Sequence, residues 1–306
     1  MADGPIRLYR SAAALTAATF CLLVLGASVR VHGAGLACPD WPLCFGQVVP
    51  AIDFRVGLEL GHRVVAGLVS LGFLGLAVAV LRSRHSLGRD VIGFVGAAAV
   101  VLAIQIVLGG LTVLHLLAQW TVASHLVTGN TFLALLLLIT LALRDRAFPA
   151  VRDAVLPVQR GLATLLLAAV PVQLALGGLV AASGAGLACS TWPSCNGGPW
   201  FPSFEGGLGI QVLHRLAAWT LLGLALANLA LARGRLSRAA WRVAIAVTVQ
   251  GAIGVANVLL RLPVEVTLLH TAGAAAVVLS SVSLARATWT APLTRPIHGA
   301  VQRMAP

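Results

Sequence analysis

The strongest constraint on the fold is a series of eight apolar runs, because each is long enough to cross a lipid bilayer. A transmembrane helix needs about 20 predominantly apolar residues. Only 10% of this chain is charged, against about 25% of an average soluble domain. We therefore predict an all-α integral membrane protein with eight transmembrane helices. The runs lie at about 11–31, 57–82, 90–115, 119–143, 156–182, 208–232, 239–260 and 265–287.

The second half of the chain repeats the first. The repeated pairs are Cys38 and Cys189, Cys44 and Cys195, His62 and His214, Arg63 and Arg215, Gln105 and Gln250, and His125 and His270. Such a repeat indicates a tandem duplication of a four-helix unit, with an N-terminal half at 1–150 and a C-terminal half at 151–306. Because four crossings return the chain to the same side, we expect two four-helix bundles related by a pseudo-two-fold axis along the membrane normal.

The distribution of arginine predicts the orientation in the membrane. Arginine supplies all 21 basic residues, which lie mostly in short loops between the apolar runs rather than in one nucleic-acid-binding patch. Sixteen of them fall on the side of the chain termini and five on the other side. Since arginine-rich loops stay in the cytoplasm, we expect both termini to be cytoplasmic in a cell membrane. The loops at about 32–56 and 183–207 then face outward.

Four repeated histidines are the main candidates for chemistry: His62, His125, His214 and His270. Each lies roughly four to seven residues inside the outer end of an even-numbered run, which is about 6–10 Å along a helix. Two histidines per unit at matched depth suit axial ligation of a planar macrocycle, so we predict haem iron as their metal. A buried histidine bonded to a neighbouring helix is the alternative. Zinc is disfavoured because no cysteine or carboxylate cluster completes its site in the bilayer.

Glu59 distinguishes the two halves. It lies one helical turn before His62 on the same face, whereas its counterpart is Gln211. Ionisable side chains in a membrane span are costly and are therefore candidates for function. A carboxyl group can transfer a proton beside a bound substrate, and an amide cannot. We predict that Glu59 is catalytic and that the first half is reactive. An ion pair of Glu59 with Arg55 or Arg63 is the alternative.

Two arginines, Arg63 and Arg215, directly follow candidate haem ligands. A guanidinium group pairs with carboxylates, and haem propionates are carboxylates, so both residues are candidate propionate contacts. The alternative is an arginine whose charged head reaches out of the membrane to water.

The outer loops each carry a cysteine pair around a Trp-Pro dipeptide. We predict the disulfides Cys38–Cys44 and Cys189–Cys195, because disulfides persist outside the cytoplasm. A redox-active bond is the alternative to a structural one in such a short, exposed loop. The remaining cysteine, Cys21, is expected to be a small core residue of the first helix.

Together these residues resemble the haem A synthase family over essentially the whole chain. The likeness rests on the two four-helix halves, the Glu-x-x-His-Arg sequence at 59–63, the single histidine on helices four, six and eight, and the paired loop cysteines. The resemblance implies an oxidoreductase that oxidises a methyl group of haem O to the formyl group of haem A by successive hydroxylation. The product serves cytochrome c oxidase.

The resemblance also implies a role for each half. His62 and His125 would flank the substrate haem O, with Glu59 as the catalytic carboxylate beside it. His214 and His270 would ligate a resident haem b that passes electrons. The first disulfide would match the pair linked to activity in the family. The implied partners are the farnesyltransferase that makes haem O, the assembly of cytochrome c oxidase, an unidentified electron donor and the lipid bilayer.

A non-catalytic electron carrier with two b haems is the competing interpretation. A pure carrier needs no carboxylate in one half alone, so the difference between Glu59 and Gln211 favours the enzyme. An electron conduit across the membrane also places its ligands at two depths, whereas these histidines lie near one face. A transporter built from parallel repeats is disfavoured, since no charged site lies at the midplane.

Overall fold

The computed structural model describes residues 3–149 and 151–294, and its regular structure in that part is helical. All eight long helices are apolar enough to cross a membrane, which confirms the predicted all-helical fold with eight spans. Arg295 and Arg303, which contributed to the predicted orientation, lie outside the described residues. The helices are α1 (Asp3–Val31), α2 (Phe54–Arg82), α3 (Arg89–Leu114), α4 (Gln119–Ala147), α5 (Pro157–Ala182), α6 (Gly206–Leu231), α7 (Gly234–Leu259) and α8 (Val264–Trp289).

Some helices extend further than the apolar runs that predicted them. Helix α1 begins at Asp3 instead of near residue 11, α7 begins at Gly234 instead of near 239, and α4 continues to Ala147. Each added stretch contains two arginines, which favour helix even where the sequence is too polar for a membrane interior. Hydropathy therefore marked the apolar part of each helix and not its full length.

The helices of the two halves pack in matching ways. In the first half, α1 contacts α2 and α4, and α3 contacts α4; in the second half, α5 contacts α6 and α8, and α7 contacts α8. The halves meet where α4 packs against α5 and α8, and where α1 packs against α8. This pattern is what a duplicated four-helix unit would give. The division at 150 and the pseudo-two-fold axis stay predictions.

Each half has an apolar core at the end of the bundle away from the disulfide loops. The first core includes Phe73 and Phe132, whose rings meet edge to face at 5.4 Å between centroids. The second includes Leu166, Leu221 and Val282. In a lipid environment such contacts stabilise the bundle by close packing more than by exclusion of water. The polar side chains of the candidate site lie at the opposite end of the bundle, near the disulfide loops, which we call the loop end.

Both loops at the loop end contain the predicted disulfide. Cys38 bonds to Cys44, and Cys189 bonds to Cys195, with 4.7 Å between the two Cα atoms in each case. All four of these cysteines are buried. The prediction that Cys21 is a core residue is wrong, because its side chain is exposed. A membrane helix can present a small residue outward, since the lipid replaces a protein neighbour.

Candidate functional site

The four candidate ligands lie in one layer at the loop end. His62 and His214 are each eight residues past the first residue of their helix, and His125 and His270 are each six residues past it. The chain direction puts the start of all four helices at the loop end, so the rings lie at similar depth.

Each histidine ring packs against a glycine of the preceding helix. A methyl group added to any of these glycines would come closer to Cε1 of the ring than ordinary van der Waals contact allows. Any residue larger than glycine would therefore push the imidazole away. The contacts are Gly26 with His62 at 3.0 Å, Gly109 with His125 at 3.2 Å, Gly177 with His214 at 3.0 Å, and Gly254 with His270 at 3.0 Å, measured from the added Cβ. None of these four glycines was predicted from the sequence.

Three of the rings also face a glutamine amide of that same preceding helix. The amide oxygens of all three glutamines are buried and have no hydrogen-bond partner within the described part of the chain. The amide nitrogen lies 3.3 Å from Nε2 of His125 for Gln105, 3.2 Å from Nδ1 of His214 for Gln173, and 3.2 Å from Nδ1 of His270 for Gln250. Gln105 and Gln250 stand out in the sequence as a repeated pair, whereas Gln173 was not predicted as a site residue.

The donor set fits haem iron better than a bare metal ion. Among residues 3–149 and 151–294, no three His, Cys, Asp or Glu side chains converge as a structural zinc site would require. Nδ1 of His62 and Nδ1 of His125 are buried without a partner among these described residues. Two histidines in each half, at matched depth, are the residues that would hold a haem iron, since neutral imidazole is a common ligand of that metal.

Glu59 is buried, with 4% of its surface exposed, and both of its oxygens accept hydrogen bonds. Nη2 of Arg63 donates to Oε1 at 2.6 Å, and the backbone N–H of Cys38 donates to Oε2 at 2.9 Å. Of the two arginines considered as ion-pair partners, Arg63 is the one in contact. The ion pair and a catalytic role are compatible, since the pair also fixes the carboxylate one turn from His62.

Gln211 occupies the matching place in the second half and is equally buried. Its amide nitrogen donates to the carbonyl oxygen of Gly186 at 3.3 Å, and its Oε1 has no partner among the described residues. Both side chains therefore tie the second helix of their half to the loop before it. Only Glu59 can exchange a proton at this position.

The two arginines donate hydrogen bonds to backbone carbonyl oxygens of the disulfide loops. Arg63 donates to the carbonyl oxygens of Leu43 at 2.7 Å and Asp40 at 2.9 Å. Arg215 donates to those of Cys189 at 2.7 Å and Thr191 at 3.0 Å, and Nη1 of Arg215 is buried without a described partner. The predicted propionate contacts are not tested by these bonds and stay predictions.

The first loop is also held by Asp40, which lies outside the membrane-spanning segments. Its carboxylate accepts hydrogen bonds from the backbone N–H groups of Gly46 at 2.7 Å and Phe45 at 2.6 Å. These bonds, that from Gly46 foremost, hold the pKa of Asp40 below its ordinary value. The loop therefore presents a fixed set of carbonyl oxygens to Arg63.

Known proteins similar to this chain cover the whole site. Residues 10–282 match the COX15-CtaA family, described as cytochrome oxidase assembly protein. A protein of Shewanella oneidensis named Heme A synthase is 29% identical, over 89% of this chain and 93% of its own. A protein of that name from Rhizobium etli is 30% identical, over 84% of this chain and 83% of its own length. Another from Methylorubrum extorquens is 30% identical, over 91% of this chain and 86% of its own length. The residues matched by the family include every candidate site residue.

Proposed function

The chain belongs to the COX15-CtaA family of cytochrome oxidase assembly proteins, and we propose that it acts as a haem A synthase. The reaction is the oxidation of a methyl group of haem O to a formyl group by successive hydroxylation, which makes the protein a membrane oxidoreductase. The observation that carries this proposal is Glu59, a buried carboxylate one helical turn from a candidate ligand in one half alone.

The two halves hold different haems. His62 and His125 receive haem O as substrate, and His214 and His270 ligate a resident haem b. Bound haem b supplies one-electron chemistry, which lets electrons reach the substrate site from an outside donor. Nδ1 of His62 and Nδ1 of His125, which are buried with no partner among the described residues, and the glycines that admit all four rings support this assignment.

Glu59 serves as the proton acceptor and donor of the reactive half. When the doubly hydroxylated methyl carbon loses water, one hydroxyl must give up a proton and the other must gain one. A single carboxylate can accept the first proton and deliver it to the leaving hydroxyl group. The hydrogen bonds from Arg63 and from the backbone of Cys38 hold Glu59 in one orientation for this transfer.

Both sites open toward the extracytoplasmic face of a cell membrane, with the chain termini in the cytoplasm. The excess of arginine on the side of the termini supports this orientation. The partners that follow are a haem O synthase that supplies the substrate, an electron donor, and the assembly of a cytochrome c oxidase that uses the product.

Chromatography with mass analysis of extracted haems tests the proposal. Membranes that contain this chain and a haem O supply should yield a formyl-bearing haem that is absent without the chain. Unchanged haem O from such membranes, together with two ordinary b haems on the purified protein, would contradict it and favour the electron carrier. A known synthase in the same host controls for haem O supply.

A further inference from the structure

A Gln-x-x-x-Gly sequence recurs on three of the four odd-numbered helices, and each copy faces a candidate ligand on the next helix. The spacing of four residues puts the glutamine and the glycine on one helix face. The copies are Gln105–Gly109 on α3, Gln173–Gly177 on α5 and Gln250–Gly254 on α7. Helix α1 departs from this pattern, because Leu22 precedes Gly26 where a glutamine would stand.

The glycine of each copy makes room for the ring. Gly177 and Gly254 each lie where a methyl group would come within 3.0 Å of the histidine Cε1. Gly161 on α5 and Gly251 on α7 have no atom within 4 Å of an added Cβ. The close approach is therefore local to the histidine and is not a general property of the glycines of these helices.

The glutamine of each copy lies against a ring nitrogen, and the copies differ in which nitrogen it meets. In the second half, Gln173 lies at Nδ1 of His214, and Gln250 lies 3.2 Å from Nδ1 and 3.4 Å from Nε2 of His270. In the first half, Gln105 meets Nε2 of His125. Nδ1 of His62 and of His125 therefore both lack a partner in the described structure.

An amide at Nδ1 suits a histidine that ligates iron through Nε2. In that state Nδ1 carries a hydrogen and needs an acceptor. A half-turn of the amide of Gln173 exchanges its nitrogen with its oxygen, which is buried and has no partner in the described part of the chain. The two ends of the amide have the same shape, so the exchange needs no other movement. That oxygen then accepts the Nδ1–H of His214. Gln250 differs, because its amide nitrogen also donates to the carbonyl oxygen of His270 at 2.9 Å. The same half-turn of Gln250 would place two oxygens against each other, so only Gln173 is free to make it.

We propose that Gln173 is a positioning residue that holds His214 by accepting its Nδ1–H, and that Leu22 leaves His62 without such a hold. The proposal rests on the proposed function, because it takes His214 and His270 as ligands of the resident haem. Outer hydrogen bonds to ligand histidines fix the ring and raise its basicity. The second half therefore retains its haem, whereas the first half can exchange substrate for product.

The test uses purified full-length protein and two readouts other than turnover, the midpoint potential of the resident haem and its rate of transfer to apomyoglobin. Gln173→Leu should raise the potential, because the ligand donates less electron density to iron, and should weaken haem affinity by about 10-fold or more. Gln159→Leu is the matched control. Gln159 lies on the same helix and is buried, but its hydrogen bonds go to the backbone of Leu156 and Leu231.

Two further variants keep the test decisive if Gln173→Leu does not fold. Gln173→Glu keeps an acceptor oxygen and should leave the potential at or below the wild-type value. Gly177→Ala should accelerate haem loss and alter the electron paramagnetic resonance g values of the bound haem, whereas Gly161→Ala should do neither. In the reverse direction, Leu22→Gln should slow the release of haem from the first half.

The outcomes separate this inference from the function on which it rests. Wild-type protein that binds no haem through two histidines would overturn the proposed function. Wild-type protein that binds such a haem, with the potential and transfer rate of Gln173→Leu equal to those of Gln159→Leu, would overturn only the role of Gln173. A midpoint potential of Gln173→Glu above that of the wild-type protein would also overturn the role of Gln173.

Discussion

The backbone N–H of Cys38 donates a hydrogen bond to Oε2 of Glu59 over 2.9 Å. A disulfide cysteine is thus joined directly to the proposed catalytic carboxylate. Arg63 completes the link, because it binds the other oxygen of Glu59 and the carbonyl oxygens of the same loop. The geometry of the loop and the position of the carboxylate therefore depend on each other.

Removal of the first disulfide should lower turnover without removing the resident haem. Cys38→Ser with Cys44→Ser frees the loop, so the donor to Glu59 loses its fixed position. A misplaced catalytic group commonly costs up to about 100-fold in rate. Haem A formation by the purified double variant measures the loss. Cys189→Ser with Cys195→Ser is the control, and an equal loss in both variants would contradict a specific link between the first loop and Glu59.

Loss of the Arg63 side chain should destabilise the loop end. Arg63→Ala leaves Glu59 buried without its cationic partner, and the side chains of this pair are only 15% and 5% exposed. Breaking such a buried pair costs about 3 kcal/mol or more. Thermal unfolding in detergent should show a lower transition temperature for Arg63→Ala than for Arg215→Ala, because the described partners of Arg215 are uncharged, namely carbonyl groups and the ring of Trp192. Equal decreases in the transition temperature of the two variants would mean that the ion pair between Arg63 and Glu59 contributes little to stability.

The two pairs of histidines should differ in the haem that they retain. His214→Ala removes one axial ligand of the proposed resident haem, so the purified protein should lose it. His62→Ala should keep that haem and lose haem A formation instead. Haem content by the pyridine haemochrome assay, set beside turnover, separates the two effects. Loss of the resident haem in His62→Ala but not in His214→Ala would reverse the assignment of the halves.

Sequence alone predicted the features that depend on residue type and spacing. Long apolar runs gave eight helices, and equal cysteine spacing gave two disulfides. The helix start at Asp3 was missed because apolar runs mark the membrane interior and not the polar turns beyond it.

Features that depend on three-dimensional contacts were not predictable in this way. Glycine is frequent in membrane helices, so nothing in the sequence singled out Gly177 as the neighbour of His214. Gln173 was hidden because its counterpart in the repeat is Leu22. The bonds of Arg63 to the disulfide loop go to backbone carbonyl groups, which every residue carries.

The most direct test of the account is haem analysis of Glu59→Gln, which gives the first half the amide that the second half has at Gln211. The variant should retain the resident haem, bind haem O and form little or no haem A. Gln211→Ala, made in parallel, should keep most of its turnover. Full haem A formation by Glu59→Gln, together with its loss in Gln211→Ala, would contradict the account and make the second half the reactive one.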